Sequence, residues 1–206
     1  QLEEIIVTAQ KRSENLNEVG LSVAVLTGSD LKEKNVTSLE DIALQVPGLS
    51  YTTSGTDTPV YTLRGVGFYE STLSAYPDVS IYVDESPLPF PVMTSHIAFD
   101  LERVEVLKGP QGTLFGNNAT GGAINMIAAK PTESFEGNVT TSYGTFSDLG
   151  LDGYVSGPLG DGLKGRLAVK SVNADEWQRG YTIDAKNGKK DMLALRGILE
   201  WSPQEN

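Results

Sequence analysis

The apolar positions of this chain change rhythm partway along. Through the first 130 residues they fall in short runs of mixed period. Residues 3–9, EEIIVTA, form a brief β-prone segment with Ile5 and Val7 on one face, and the polar stretch 10–18 reads as a linker. Residues 21–26 read as a strand, and Gly28-Ser29-Asp30 supplies a helix start before LKEKN. A second short helix follows Ser38, because Leu39, Ile42, Ala43 and Val46 recur at helical spacing until Pro47-Gly48 removes a donor and permits a sharp turn. Strands at 60–64, 79–84 and 103–107 then predict a small mixed sheet with two helices, a compact α+β domain of about 130 residues, a usual size for one core.

Beyond Lys130-Pro131 the period becomes two. Segments 135–144, 149–157, 163–173 and 192–201 are strand-length, separated by turn residues, with no helical pattern between them. In the last, Leu193, Leu195, Leu199 and Trp201 share one face while Ala194, Arg196, Ile198 and Glu200 share the other; Leu163, Leu167 and Val169 oppose Lys164, Arg166 and Lys170 in the same way. Alternation over about ten residues is what a membrane-crossing strand requires, since one face meets hydrocarbon. Tyr143 and Trp201 suit interfacial girdles, and equally a soluble sandwich. Four strands cannot close a barrel, and open edges facing lipid would strand backbone groups at several kcal/mol each, roughly. The chain is therefore expected to be part of something longer. No charged-then-apolar leader precedes Gln1, so the start reads as mature.

Composition narrows the function classes. Residues 1–130 hold 8 Lys+Arg against 16 Asp+Glu and residues 131–206 hold 8 against 11, so net charges of −8 and −3 make the total of −11. Phosphate binding needs clustered Lys and Arg, so no nucleic-acid partner is expected. The chain has no cysteine, which removes disulfides and thiolate chemistry, and its single histidine, His96, reads as a loop residue rather than a metal ligand. Neither a metal site nor a cofactor is expected. An enzyme reading would set Asp84, Glu85, Asp100 and Glu102 as acid and base, but no spacing argument brings them together.

The most informative run is 101–127, LERVEVLKGPQGTLFGNNATGGAINMI: a charged strand, a loop punctuated by Gly109, Gly112, Gly116, Gly121 and Gly122, and an apolar strand. A nucleotide loop would need GKS or GKT opening a helix, whereas Gly121-Gly122 leads into a strand-like run. With VPGLSY at 46–51, YTLRGVG at 61–67 and VSIYVDESPL at 79–88, in that order, the run resembles the plug of the TonB-dependent outer-membrane receptors, and EEIIVTA resembles their TonB box. Asp84-Glu85 departs from the family's usual Asp-Gly, which makes that turn more acidic and its geometry an open matter.

The resemblance implies an architecture of residues 1–18 as TonB box and linker, 19–130 as α+β plug, and 131–206 as the first antiparallel strands of a transmembrane β-barrel of about 22 strands when complete. It implies active transport of a scarce or bulky ligand, a small molecule or metal chelate, across the outer membrane. The TonB protein would supply energy, outer-membrane lipid would surround the wall, and no catalysis is involved. Ile5, Ile6, Val7, Thr8 and Ala9 would couple to TonB by strand addition; an ordinary first strand of the domain fits the same residues. Arg64, Glu102, Arg103, Glu105 and Lys108 would make charged plug–barrel contacts, or be surface pairs of little worth. Phe68, Tyr69, Tyr76, Leu88, Phe90 and Met93, in the apical loops, would meet ligand or else fill the plug core. The alternative is a soluble binding module whose β-rich C-terminal half forms a sandwich.

Overall fold

The structure, a computed structural model, describes residues 6–8, 11–12, 14–54, 58–69, 76–94, 98–182 and 185–203. Ile5, Ala9 and His96 lie outside them. The chain divides into two compact units, Gln1–Ala129 and Lys130–Asn206.

The first unit opens with two short strands, β1 (Ile6–Val7) and β2 (Glu14–Asn15), paired antiparallel, so part of the stretch expected to be a linker is folded. Strand β3 (Ser22–Thr27) runs into helix α1 (Gly28–Glu33), and helix α2 (Leu39–Gln45) follows. Both helices start with the same device. Thr27 and Ser38 each accept the N–H of the residue three further on, while the carboxylates of Asp30 and Asp41 accept the cap residue's own N–H at 2.9 Å. The α1 cap is thus Thr27, just before the Gly28-Ser29-Asp30 start expected from sequence; Asp30 is its reciprocal partner.

The next elements are β4 (Leu49–Thr53), β5 (Pro59–Leu63), β6 (Val79–Val83), β7 (Ser86–Leu88), β8 (Leu101–Lys108), the single turn α3 (Gly112–Phe115) and β9 (Gly122–Ala128). Strands β4 and β5 form a hairpin, and the main sheet has the order β3-β8-β9-β6-β7, parallel only between β6 and β9. Strand β9 lies at the centre and is buried along its whole length. Alternation splits the sheet's residues between two cores. Val104, Val106, Ile124, Met126, Val79 and Ile81 pack with Leu39, Ile42, Tyr61 and Leu63, whereas Leu107, Ala123 and Tyr82 pack with Phe115, Ala119 and Val7. Gly122 lets β8 and β9 meet: with φ of +145°, a Cβ there would sit 2.2 Å from the Leu107 carbonyl oxygen.

The acidic turn between β6 and β7 is a two-residue hairpin turn with both central residues at positive φ, Asp84 at 46° and Glu85 at 64°. Side chains without a glycine's freedom are held there by hydrogen bonds. The Asp84 N–H reaches the Met126 carbonyl at 2.9 Å, its carboxylate accepts the Ala128 N–H at 2.8 Å, and the Glu85 N–H reaches Asn125 Oδ1 at 3.3 Å.

The second unit is a four-stranded antiparallel sheet of β10 (Glu136–Tyr143), β11 (Leu149–Gly160), β12 (Leu163–Ala174) and, after a small hairpin of β13 (Gln178–Arg179) and β14 (Lys186–Asn187), β15 (Lys190–Trp201). Its order follows the sequence, β10-β11-β12-β15, with three strands of 12 residues each. Among the described residues no helix is long and apolar enough to cross a membrane, a statement that does not bear on strands.

Candidate functional site

Register decides which side chains of the second unit share a face. Leu151 pairs with Ser171 and Ser171 with Leu193; Val155 pairs with Leu167, Val139 with Gly153, Val169 with Leu195, and Leu163 with Trp201. All of these alternate onto one face, together with Tyr143, Leu149 and Leu199. That face is bare: Val139, Leu167, Leu193, Leu195, Leu199 and Trp201 are all exposed, Leu195 at 66% and Trp201 at 71%. Water does not favour a continuous apolar sheet face of this kind, and hydrocarbon does. Aromatic residues mark both ends, Tyr143 at one and Trp201 at the other.

The opposite face is polar and networked. Lys164 Nζ lies 2.8 Å from Glu133 and 2.9 Å from Glu200. The Arg166 guanidinium is buried, centred 3.7 Å over the Tyr154 ring and 4.0 Å from Glu136. Asp152 and Lys170 are cross-strand partners on this face.

In the first unit the five charged residues expected to act together fall into two groups. Arg64, exposed at φ 52°, donates to Ser22 Oγ at 2.8 Å, and Lys108 Nζ donates to the Pro47 carbonyl at 3.0 Å; Ser22 and Lys108 are cross-strand partners, so both cations gather at one end of the β3–β8 pair. Glu102, Arg103 and Glu105 instead pair with one another. Arg103 reaches Glu102 through Nη1 and Glu105 through Nε at 2.8 Å. Glu105 is fully buried, and its carboxylate also accepts the Thr8 N–H at 2.8 Å. The expected outward contact is therefore corrected for Glu105, since its charge is turned into the globule on the face that Leu107 also occupies. Regular alternation from Arg103 to Lys108 puts Glu105 on the face of Arg103 and Leu107, opposite Val104, Val106 and Lys108.

The segment that resembles a TonB box alternates as a strand should, with Ile6 half-exposed and Val7 fully buried beside Tyr82, Leu107 and Phe115. Thr8 sits over two buried polar side chains, Glu105 and Asn125. Nothing in the sequence reading selected Asn125, although a lone amide inside GAINMI is the kind of signal that marks a satisfied polar network.

The apical residues divide as well. Phe68, Tyr69, Tyr76, Phe90 and Met93 are exposed, and Phe68 and Tyr76 line one shallow depression with Val60, Tyr61, Pro77 and Pro91. Leu88 is half-buried and packs against the main core, the alternative expected for these residues. Behind the depression, the buried Tyr61 hydroxyl lies 2.6 Å from Thr94 Oγ1; burial holds its phenol in the protonated form by pushing its pKa well above the usual tyrosine range.

Similarity to known proteins agrees with this geometry. The family described as the TonB-dependent receptor plug domain matches residues 15–123. The pesticin receptor of Yersinia pestis is 32% identical over 199 residues, covering 95% of this chain and 28% of that receptor. The vitamin B12 transporter of Vibrio vulnificus is 34% identical over 146 residues, covering 70% of this chain and 23% of the transporter. Among solved structures, the ferric yersiniabactin uptake receptor of Yersinia pestis superposes with a TM-score of 0.78 at 28% identity, over 89% of this chain and 29% of that one. The chain thus spans about a quarter to a third of the length of the relatives it matches. With the plug family matched over more than half of the chain, and an antiparallel sheet bearing one bare apolar face after it, the chain belongs to the TonB-dependent outer-membrane receptors.

Proposed function

We propose that this chain is the plug and first wall strands of a receptor that imports a scarce or bulky ligand across the outer membrane, using energy delivered by TonB to residues 5–9. The observation that carries the proposal is the pairing, in one chain, of a plug fold with a sheet whose leucine face is bare and whose other face is charged. In this reading the leucine face meets lipid and the face bearing Lys164, Arg166 and Lys170 meets the lumen. The reaction moves a ligand and makes no covalent bond, so the chain is not an enzyme.

The exposed aromatics Phe68, Tyr69, Tyr76 and Phe90, with Met93, supply an apical surface suited to a partly apolar or aromatic cargo. Arg64 and Lys108 give the plug a cationic corner that an acidic wall residue could hold. Strand addition explains how Ile5, Ile6, Val7, Thr8 and Ala9 would be gripped, because an extended segment offers backbone hydrogen bonds to a partner's sheet edge.

The test is Ile6→Pro in the full-length receptor. Proline removes a strand-pairing donor, so energised uptake is expected to be abolished while ligand binding at the cell surface is unchanged. Uptake at the wild-type rate would overturn the proposal.

A further inference from the structure

On the second face of the main sheet, among Leu107, Ala123 and Tyr82, Glu105 on β8 and Asn125 on β9 are cross-strand partners and both are fully buried. A carboxylate in that position is tolerated only if donors surround it. Two come from Thr8: its N–H donates to Oε1 at 2.8 Å, and its hydroxyl lies 3.2 Å from each carboxylate oxygen. The third is Arg103 Nε at 2.8 Å. Asn125 Nδ2 approaches the Thr8 hydroxyl at 3.5 Å from the other side.

The contacts beside Thr8 point the same way. Val7 is buried in the apolar cluster with Phe115 and Tyr82, and the Tyr82 hydroxyl is tied to the Phe115 carbonyl. Lys11 closes a turn by donating its N–H to the Thr8 carbonyl at 2.8 Å, and its ammonium stands 5.8 Å from the centre of the Phe115 ring. The strand edge is also occupied, because Ile6 and Val7 are paired with Asn15 and Glu14.

We infer that Glu105 is a positioning residue for energy coupling: its buried carboxylate clasps Thr8 and withholds the coupling segment, while β2 occupies the edge that a partner's strand must take. This rests on the proposed coupling role of residues 5–9. Hydrogen bonds to a charged acceptor are roughly twice as strong as neutral ones and are lost within about an ångström of displacement, so the clasp gives the segment a threshold rather than a gradual yield. Arg103 makes release reversible. When Thr8 leaves, the carboxylate keeps its guanidinium partner, and the plug does not inherit a lone buried charge.

The experiment uses the full-length receptor and the isolated periplasmic domain of TonB as probe. Hydrogen exchange over residues 6–12 is compared in wild type, Glu105→Gln and Thr8→Val, with exchange in β8 and β9 reporting whether the plug remains folded. Glutamine keeps the shape and removes the charge, so exchange of the segment is expected to rise about tenfold; Thr8→Val keeps the amide donor and is expected to give about threefold. The TonB domain is expected to bind Glu105→Gln about tenfold more tightly, because less of its binding is spent on opening the clasp, whereas a merely structural role would leave affinity unchanged or lower it. In the double variant the Thr8 change is expected to add nothing. Unchanged exchange and affinity in Glu105→Gln would overturn the inference, and if that variant unfolds, unchanged exchange in Thr8→Val would do so. A wild-type receptor whose residues 5–9 gain no protection from the TonB domain would overturn the coupling role itself, leaving the clasp to be judged by exchange alone.

Discussion

Strands β9 and β15 are built from similar apolar residues and obey opposite solvent rules. In β9, GAINMIA is buried on both sides, because helices and a hairpin cover one face of the sheet and Val7, Phe115 and Ala119 cover the other. In β15, KDMLALRGILEW alternates, with leucines exposed and Arg196 on the opposite face. The plug hides its apolar surface within itself, whereas the wall sheet presents it outward. What differs is the period. A run without alternation needs cover on both faces, and a strict period of two needs two different surroundings.

That contrast predicts how substitutions should sort. Ile42→Ala opens a cavity in the plug core and is expected to lower stability by about 2–5 kcal/mol, read from denaturant unfolding of the full-length receptor. Leu195→Arg, at an exposed position, is expected to weaken membrane folding by about 2–4 kcal/mol, measured as refolding yield into lipid vesicles; in a water-facing sheet the same change would be almost neutral. If Leu195→Arg were tolerated, the contrast between the two units would fail.

Smaller effects follow from the turns and caps. Glu85 is held at positive φ, so Glu85→Gly is expected to raise plug stability by about 1 kcal/mol, visible as a higher unfolding midpoint. Ser38→Ala is expected to cost about 1 kcal/mol at neutral pH. Asp41 supplies the other half of that cap. Burial works against its charged form, but the donors of Thr37 and Ser38 outweigh burial and hold its pKa below the ordinary 3.8. A carboxyl whose folded-state pKa is depressed contributes stability above its unfolded value and loses it as pH falls through the folded one. The difference between wild type and Asp41→Asn is therefore expected at pH 7 and should shrink below about pH 3.8, as denaturation at several pH values would show.

Much of this was legible in the sequence, where period and punctuation are local properties. The two short helices, the mixed sheet and the four wall strands follow from spacing, caps and turn residues. The clasp was not legible, because it joins residues 97 apart: Thr8 meets Glu105 only after β8 is placed between β3 and β9. Glu102, Glu105 and Lys108 recur every third residue, and a period of two cannot keep them on one face: it sets Glu105 opposite Lys108, beside Leu107, on a face that is also covered. Leu88, expected in an apical loop, pairs with Ile81 as part of β7, and that long-range pairing draws it against the core. The β1–β2 pair was hidden for a related reason. Strands of two residues carry no period, and the polar character of 14–18 reflects partial exposure rather than lack of structure.

The central claim is that one face of the second unit meets lipid while the other lines a lumen. Single cysteines introduced along 192–201 can each carry a spin label in the membrane-embedded full-length receptor, and residues 1–206 add no competing thiol. The account predicts that labels at 193, 195, 199 and 201 collide with lipid-soluble oxygen, and that labels at 194, 196, 198 and 200 collide with a water-soluble metal complex. Equal access of the water-soluble reagent at both sets of positions would contradict it.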